Sequence, residues 1–174
     1  MATGLAHGIM AIDPSLDPQW RLDSGEGGDG FGNLFRDADS KDYAHPAQHL
    51  FKDAPERVTR GIPPEETVAM LDRFGVERAI VLVNTGNAEA ALKIMESYPG
   101  RLYGRLSFDP REGMEALRKI DAIARGNPLI KALSVTPFAI QLPPNDKVYY
   151  PIYAKAIELD LPVTDWSSDV CSSD

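Results

Sequence analysis

Several features are scarce in this 174-residue sequence, and each scarcity excludes something. There is one cysteine, Cys171, so neither an internal disulfide framework nor a cysteine-based zinc cluster is available. No apolar run is long enough to cross a membrane, and the opening MATGLAHGIMAID lacks the basic start and apolar stretch of a secretory signal. These absences predict a soluble, cytoplasmic protein. Basic charge is also short. Eighteen Lys and Arg face 26 Asp and Glu, a net charge of -8 with pI near 4.9, which argues against nucleic acid or an anionic membrane surface as a partner. Histidine is limited to His7, His45 and His49.

With 43% hydrophobic residues the chain has enough apolar side chains for one globular domain with a core. From Gly61 onward strand and helix patterns alternate. In GIPPEETVAMLDRFGV, prolines and then Glu65 and Glu66 mark a helix start, Val68, Leu71 and Phe74 form an apolar stripe, and Gly75 is placed to end it. ERAIVLVN is a continuous apolar run, as expected of a strand covered on both faces. NAEAALKIMESYPG gives a helix with Ala91, Leu92 and Met95 inward, stopped by Pro99-Gly100. LYGRLSFDP is a strand closed by Asp109-Pro110, and EGMEALRKIDAIA a helix with Met114, Leu117, Ile120 and Ala124 inward. LIKALSVTP is a further strand. Asn145-Asp146 can cap DKVYYPIYAKAIEL, where Pro151 predicts a kink or a late start. LPVT opens another strand, and IMAID (Ile9 to Asp13) supplies one at the front.

Five strands joined by crossovers long enough for parallel pairing suit either a (β/α)8 barrel or an open doubly wound sheet. The open dinucleotide-binding sheet needs a glycine-rich turn after its first strand, and IDPSLDPQWRL has none. DSGEGGDGFG, residues 23–32, neither follows a strand directly nor opens a helix, and reads as a surface loop. The barrel is the predicted architecture. Residues 20–60 form an insertion anchored by Phe31, Leu34, Phe35, Leu50 and Phe51, which either covers the active-site mouth or caps the barrel elsewhere.

The stretches FKDAPER, LDRFGVERAIV, LSFDPREGMEALRKI, IKALSVTPF and, most specifically, NDKVYYPIYAKAIELDLPV resemble the amidohydrolase-related family. This branch of metal-dependent hydrolases and decarboxylases includes the aminocarboxymuconate-semialdehyde and resorcylate decarboxylases. The resemblance runs from Phe51 to Thr164. It implies a (β/α)8 barrel of about 250 residues or more, of which residues 1–164 are the N-terminal part, interrupted in the fifth strand. It also implies an enzyme acting on a small carboxylated or aromatic compound, and a homo-oligomer of the longer protein.

The closing DWSSDVCSSD fits neither strand nor helix. GAC TGG AGT TCA GAC GTG TGC TCT TCC GAT, a sequencing-library adapter, encodes it in order, so residues 165–174 are expected to be an artefact and Thr164 the last genuine residue. Without Asp165, Asp169 and Asp174 the balance is 23 acidic against 18 basic residues, or -5, and no cysteine remains.

The resemblance further implies a divalent metal such as zinc or manganese, held by an Asp-x-His-x-His or Glu-x-His/Ala pattern ending the first strand, a histidine after the fifth and an aspartate after the eighth. Here the first strand ends Asp13-Pro14-Ser15-Leu16-Asp17, so Ser15 and Asp17 stand at the histidine positions. Asp17 is the candidate oxygen ligand; the alternative is that Asp13 and Asp17 are turn residues beside Pro14 and Pro18. Catalytic residues are expected beyond Thr164, leaving the present chain inactive. Asn84, Asp109 and Thr136 fall at C-terminal strand ends and are the candidate substrate-binding residues, with helix capping the alternative for Asp109. His45 and His49 have i, i+4 spacing but no third ligand, and read as a packed or surface pair. Tyr149 and Tyr153 share a helix face and are expected to pack inward. The competing hypothesis is a complete small α/β binding domain without catalysis, whose two sheet edges and apolar face would be open to association.

Overall fold

The helix signals produce helices where the local chemistry requires them. In the computed structural model, which describes residues 11–16 and 62–165, the order is β1 (Ala11–Leu16), α1 (Pro64–Phe74), β2 (Val76–Asn84), α2 (Ala88–Ser97), β3 (Leu102–Ser107), α3 (Met114–Ala124), β4 (Ile130–Val135), α4 (Pro137–Ile140), α5 (Tyr150–Glu158) and β5 (Val163–Asp165). The 20–60 insertion, all three histidines, Asp17 and residues 166–174 lie outside the described residues. Pro63 and Pro64 open α1 where a missing N–H costs nothing, Glu65 and Glu66 sit in its first turn, and Gly75 closes it at φ 69°, donating its N–H to the Asp72 carbonyl. Pro151 gives the late start: Asp146 caps a 3-10 turn, Lys147–Tyr149, by accepting from the Val148 N–H at 2.9 Å, and α5 begins only at Tyr150.

All four strand pairs are parallel and the lateral order is β1-β2-β3-β4-β5, without reversal. Right-handed crossovers that always advance in one direction place every helix on the same side of the sheet. The result is an α/β half barrel with a convex, helix-covered face and a concave face. Ala79, Val81 and Val83 of β2, Leu102 and Leu106 of β3 and Leu133 of β4 form one buried cluster with Leu71, Ala91, Met95, Ala116, Ile120 and Ile152 of the helices. The register Ala79↔Leu102 and Val83↔Leu106 holds these rows level. β2 differs from the expectation of equal cover: its convex residues are fully buried, while Ile80 and Leu82 on the concave face are only half-buried.

Two apolar positions turn the other way. Phe74 is 54% and Met114 63% exposed, because each sits at a helix end where the stripe has rotated off the sheet. Ala116 and Thr67 are buried instead, and the Thr67 hydroxyl donates to the Pro63 carbonyl at 3.2 Å. Outside the core, α3 and α5 are tied by charge: Lys155 Nζ lies 3.2 Å from Asp121 Oδ1 and 2.7 Å from Glu158 Oε2, and Arg125 pairs with both Asp121 and Glu158.

Gly104 is the tightest point on the convex face. A Cβ there would stand 2.9 Å from Ile130 Cδ1, 3.2 Å from Val83 Cγ2 and 3.4 Å from Met95 Cε. Gly104→Val overpacks three strands and a helix at once and should cost about 1–3 kcal/mol in a denaturant titration; an unchanged midpoint would contradict the packing. Acid should loosen the α3–α5 tie. Hydrogen bonding from Arg125 holds the Asp121 carboxyl at about 2, below its ordinary 3.8, so its contribution is complete above that ordinary value and lost as pH falls through about 2. Asp121→Asn should flatten the fall of Tm across that window, followed by thermal melts at stepped pH.

Candidate active site

Parallel pairing brings every strand's C-terminal end to one mouth. Residues alternate between the two faces, so the neighbours of the convex core residues look inward. At the last level before the mouth the register runs Asn84↔Ser107, Ser107↔Ser134 and Ser134↔Thr164. Four adjacent strands thus place an amide and three hydroxyls in one line. Asn84 is exposed, Ser107 and Thr164 are half-buried and Ser134 is 1% exposed, so the line runs from solvent into the interior and back towards it. One level down stand Leu82, Arg105 and Ala132. Arg105 is 6% exposed and its Nη1 donates to Ser134 Oγ at 3.2 Å. A shift in register between Gly104 and Arg105 makes Lys131 the extra residue of β4, and its ammonium sits 5.2 Å from the centre of the Tyr103 ring.

The residues expected at the mouth divide into different environments. Asn84 ends β2, and its N–H donates to Asn87 Oδ1 at 3.2 Å, while the Asn87 N–H returns to the Asn84 carbonyl at 3.1 Å. Thr136 directly follows β4, half-buried, with its carbonyl accepting from the Ile140 N–H. Asp109 lies two residues past β3 and holds a local turn. It accepts from the Arg111 N–H at 2.9 Å and from the guanidinium at 2.6 to 3.1 Å, and this pairing with Arg111 keeps its carboxyl below the usual range. A carboxylate so engaged is a weak base. β1 brings Ser15 and Leu16 to the same end of the sheet, and Asp17 lies beyond the described residues.

The loop after α4 is shaped by two tyrosines. Tyr149 is fully buried and stacks on Tyr153 with ring centres 5.9 Å apart at 14°. Tyr153 Oη donates to the Pro144 carbonyl at 2.6 Å and Tyr149 Oη to the Leu142 carbonyl at 3.4 Å. Both bonds hold a segment that begins with Gln141 at φ 56°, and the Lys147–Tyr149 turn that follows it packs against Pro110–Glu112.

The half-barrel fold is shared with a solved enzyme. The chain is similar to 5-carboxyvanillate decarboxylase from Sphingomonas paucimobilis, with a TM-score of 0.59 at 16% identity over 88% of this chain and 50% of that one. This chain spans half of that enzyme's length, and the likeness establishes the shared fold. No described family matches the sequence, and neither does any curated protein.

Among the described residues no group of three His, Cys, Asp or Glu side chains could hold a metal ion. Asp109 is committed to Arg111, and the interior line is made of hydroxyls and an amide, so the described residues do not by themselves fit zinc or manganese. Among the same residues no helix is long and apolar enough to cross a membrane.

Arg105, Ser107, Ser134 and Thr164 were not singled out from sequence as site residues, although each carries a readable sign: a polar residue at an alternate position inside an apolar strand. The tyrosine pair offers a direct check on the loop. Tyr153→Phe removes the donor to Pro144 and should lower stability by about 1 kcal/mol, with amide shifts confined to residues 141–146; unchanged spectra there would remove its positioning role.

Proposed function

We propose that this chain is the N-terminal part of a (β/α)8-barrel enzyme of the amidohydrolase-related type, a decarboxylase or hydrolase acting on a small carboxylated or aromatic compound at the strand ends. The observation that carries this reading is the unbroken polar line Asn84, Ser107, Ser134 and Thr164 at the mouth of a sheet whose fold is shared with a decarboxylase. Barrel interiors are ordinarily filled with branched apolar side chains. A continuous polar level is suited to binding a polar substrate.

In a decarboxylation the bond to the carboxylate carbon breaks, carbon dioxide leaves, and the electron pair on the remaining carbon takes up a proton from a general acid. The residues of this chain would bind and orient the substrate at the mouth, with Asn84 and Thr136 at the rim. A divalent metal belongs to the proposal only with ligands from Asp17 and from chain following Thr164, because the described residues offer no such set. The proton donor is assigned to that following chain as well, which makes the 174-residue protein inactive alone.

The reading frame extended past Thr164 is the protein to assay. Incubated with 5-carboxyvanillate, with zinc or manganese added separately, it should release carbon dioxide roughly tenfold or more above buffer, while the 174-residue chain releases none. An extended, folded protein that neither decarboxylates nor hydrolyses aromatic carboxylic acids and their amides would sink the reading.

A further inference from the structure

We propose that the flank formed by α5 and the edge of β5 is a dimerisation surface, and that its partner is a second copy of this chain. The proposal concerns the 174-residue chain and is independent of the proposed function.

α5 carries more apolar surface than the core uses. Ile152 and Ala156 are buried against the sheet, while Lys155 and Glu158 reach Asp121 and Arg125 beside them on the α3 side. Tyr150, Ala154 and Ile157 fall on a further face at helical spacing and are exposed, Tyr150 by 59% and Ile157 by 81%. At 3.6 residues per turn that stripe lies on the flank turned from α3. β5 ends the sheet on the same flank and, among the described residues, pairs with β4 alone. The Leu133 N–H donates to the Pro162 carbonyl at 2.9 Å. Alternation therefore turns the backbone groups of Pro162 and Thr164 towards β4, and those of Val163 and Asp165 outward.

One twofold axis, perpendicular to the sheet just beyond β5, satisfies both elements. It pairs β5 with its copy in antiparallel fashion about Thr164, each Val163 exchanging backbone hydrogen bonds with Asp165 of the other copy. The right-handed crossover lays α5 over the β4–β5 pair, where Ile152 and Ala156 share a cluster with Leu133 and Val163 packs against it. With strands about 4.8 Å apart, the same axis sets the two α5 helices antiparallel and about 10 Å apart, an ordinary packing distance. Measured from the turn at 159–162, Ala154 and Thr164 stand at the same height, about 7 Å along helix and strand. Ala154 is therefore the residue at the helix crossing, small enough for close approach, and Tyr150 meets Ile157 of the other copy. Charge follows the same symmetry. Lys147, before the stripe, and Asp160, after it, are exposed, and neither has an ionic partner among the described residues. Antiparallel packing sets each beside the other. A surface whose apolar, hydrogen-bonding and charged parts are all self-complementary about one axis fits a copy of itself.

Sedimentation equilibrium of the 174-residue chain should show monomer and dimer with a Kd on the order of 10 µM, since a helix pair and a short strand pair make a small interface. Ile157→Glu should weaken the dimer roughly tenfold or more and leave the circular dichroism spectrum unchanged. Phe74→Glu, at a comparably exposed apolar position on α1, should leave the Kd as it was. Lys147→Glu should weaken association, and Asp160→Lys added to it should restore it. In a Cys171→Ser background, Ala154→Cys should cross-link to itself on oxidation. Tyr150→Cys should cross-link with Ile157→Cys in a mixture of the two proteins and not with itself. A monomer at every concentration, the result if the flank is reserved for chain following Thr164, overturns the proposal. Open-ended oligomers overturn it too, as does a dimer that is indifferent to Ile157→Glu and forms no cross-link at position 154.

Discussion

β3 must satisfy two environments at once, and the alternation of its side chains decides both. On the convex side Gly104 lets Val83, Met95 and Ile130 close over it, where any Cβ would push the nearest of them. The next residue, Arg105, is thereby committed to the concave side, and the level of Ser107 and Ser134 follows from the same count. A one-residue slip of register would put a guanidinium into the helix-covered core and a leucine at the mouth. Packing energy on one face thus fixes the chemistry presented on the other. The extra residue at Lys131 belongs to the same constraint: it absorbs the register shift so that Gly104 still meets Ile130 while Arg105 meets Ala132.

Many of the charged contacts in this molecule are architecture. Arg101 reaches back to the Glu77 carbonyl at 2.7 Å and to Asp72 at 2.6 Å, tying the α1–β2 turn to the start of β3 at the end of the sheet away from the mouth. Asp109 and Arg111 shape the turn after β3, and the cluster of Asp121, Arg125, Lys155 and Glu158 joins two outer helices. Exposed pairs of this kind contribute modestly because water already solvates both partners. They set angles between elements more than they hold the fold. Arg105 differs from them in burial and in facing the interior.

How much of this could be read from the residues follows from the range of the forces involved. Caps and breakers act over a few residues, so Gly75, Asp146 and Pro151 announced their roles directly. Parallel strands declared themselves through apolar runs separated by amphipathic helices. Phe74 and Met114 did not, because a helical stripe predicts a face and not where along the helix that face leaves the sheet. Asp109 was legible as a cap; its closure by Arg111 depends on the turn that Pro110 makes. The polar line is a case of another kind. Asn84, Ser107, Ser134 and Thr164 are up to 80 residues apart, and only lateral register makes them neighbours. Asn84 was visible as a strand end, whereas Ser107 and Ser134 sat inside runs that otherwise read as core.

Parallel βα units make such a line inexpensive to specify. Each unit positions its own strand against its own helix through local apolar contacts, as β2 does with α1 and α2. Repeating the unit in one lateral direction then brings equivalent positions of successive strands to one level without any further contact being required. A polar residue at that position in each unit costs little locally, since it faces away from the helices and lies near the open end. The exception is the residue one level deeper, where solvent no longer compensates a charge. Arg105 occupies that position in β3, where the sheet itself orients it: Leu82 and Ala132 stand level with it on the neighbouring strands, and Ser134 Oγ accepts from its Nη1.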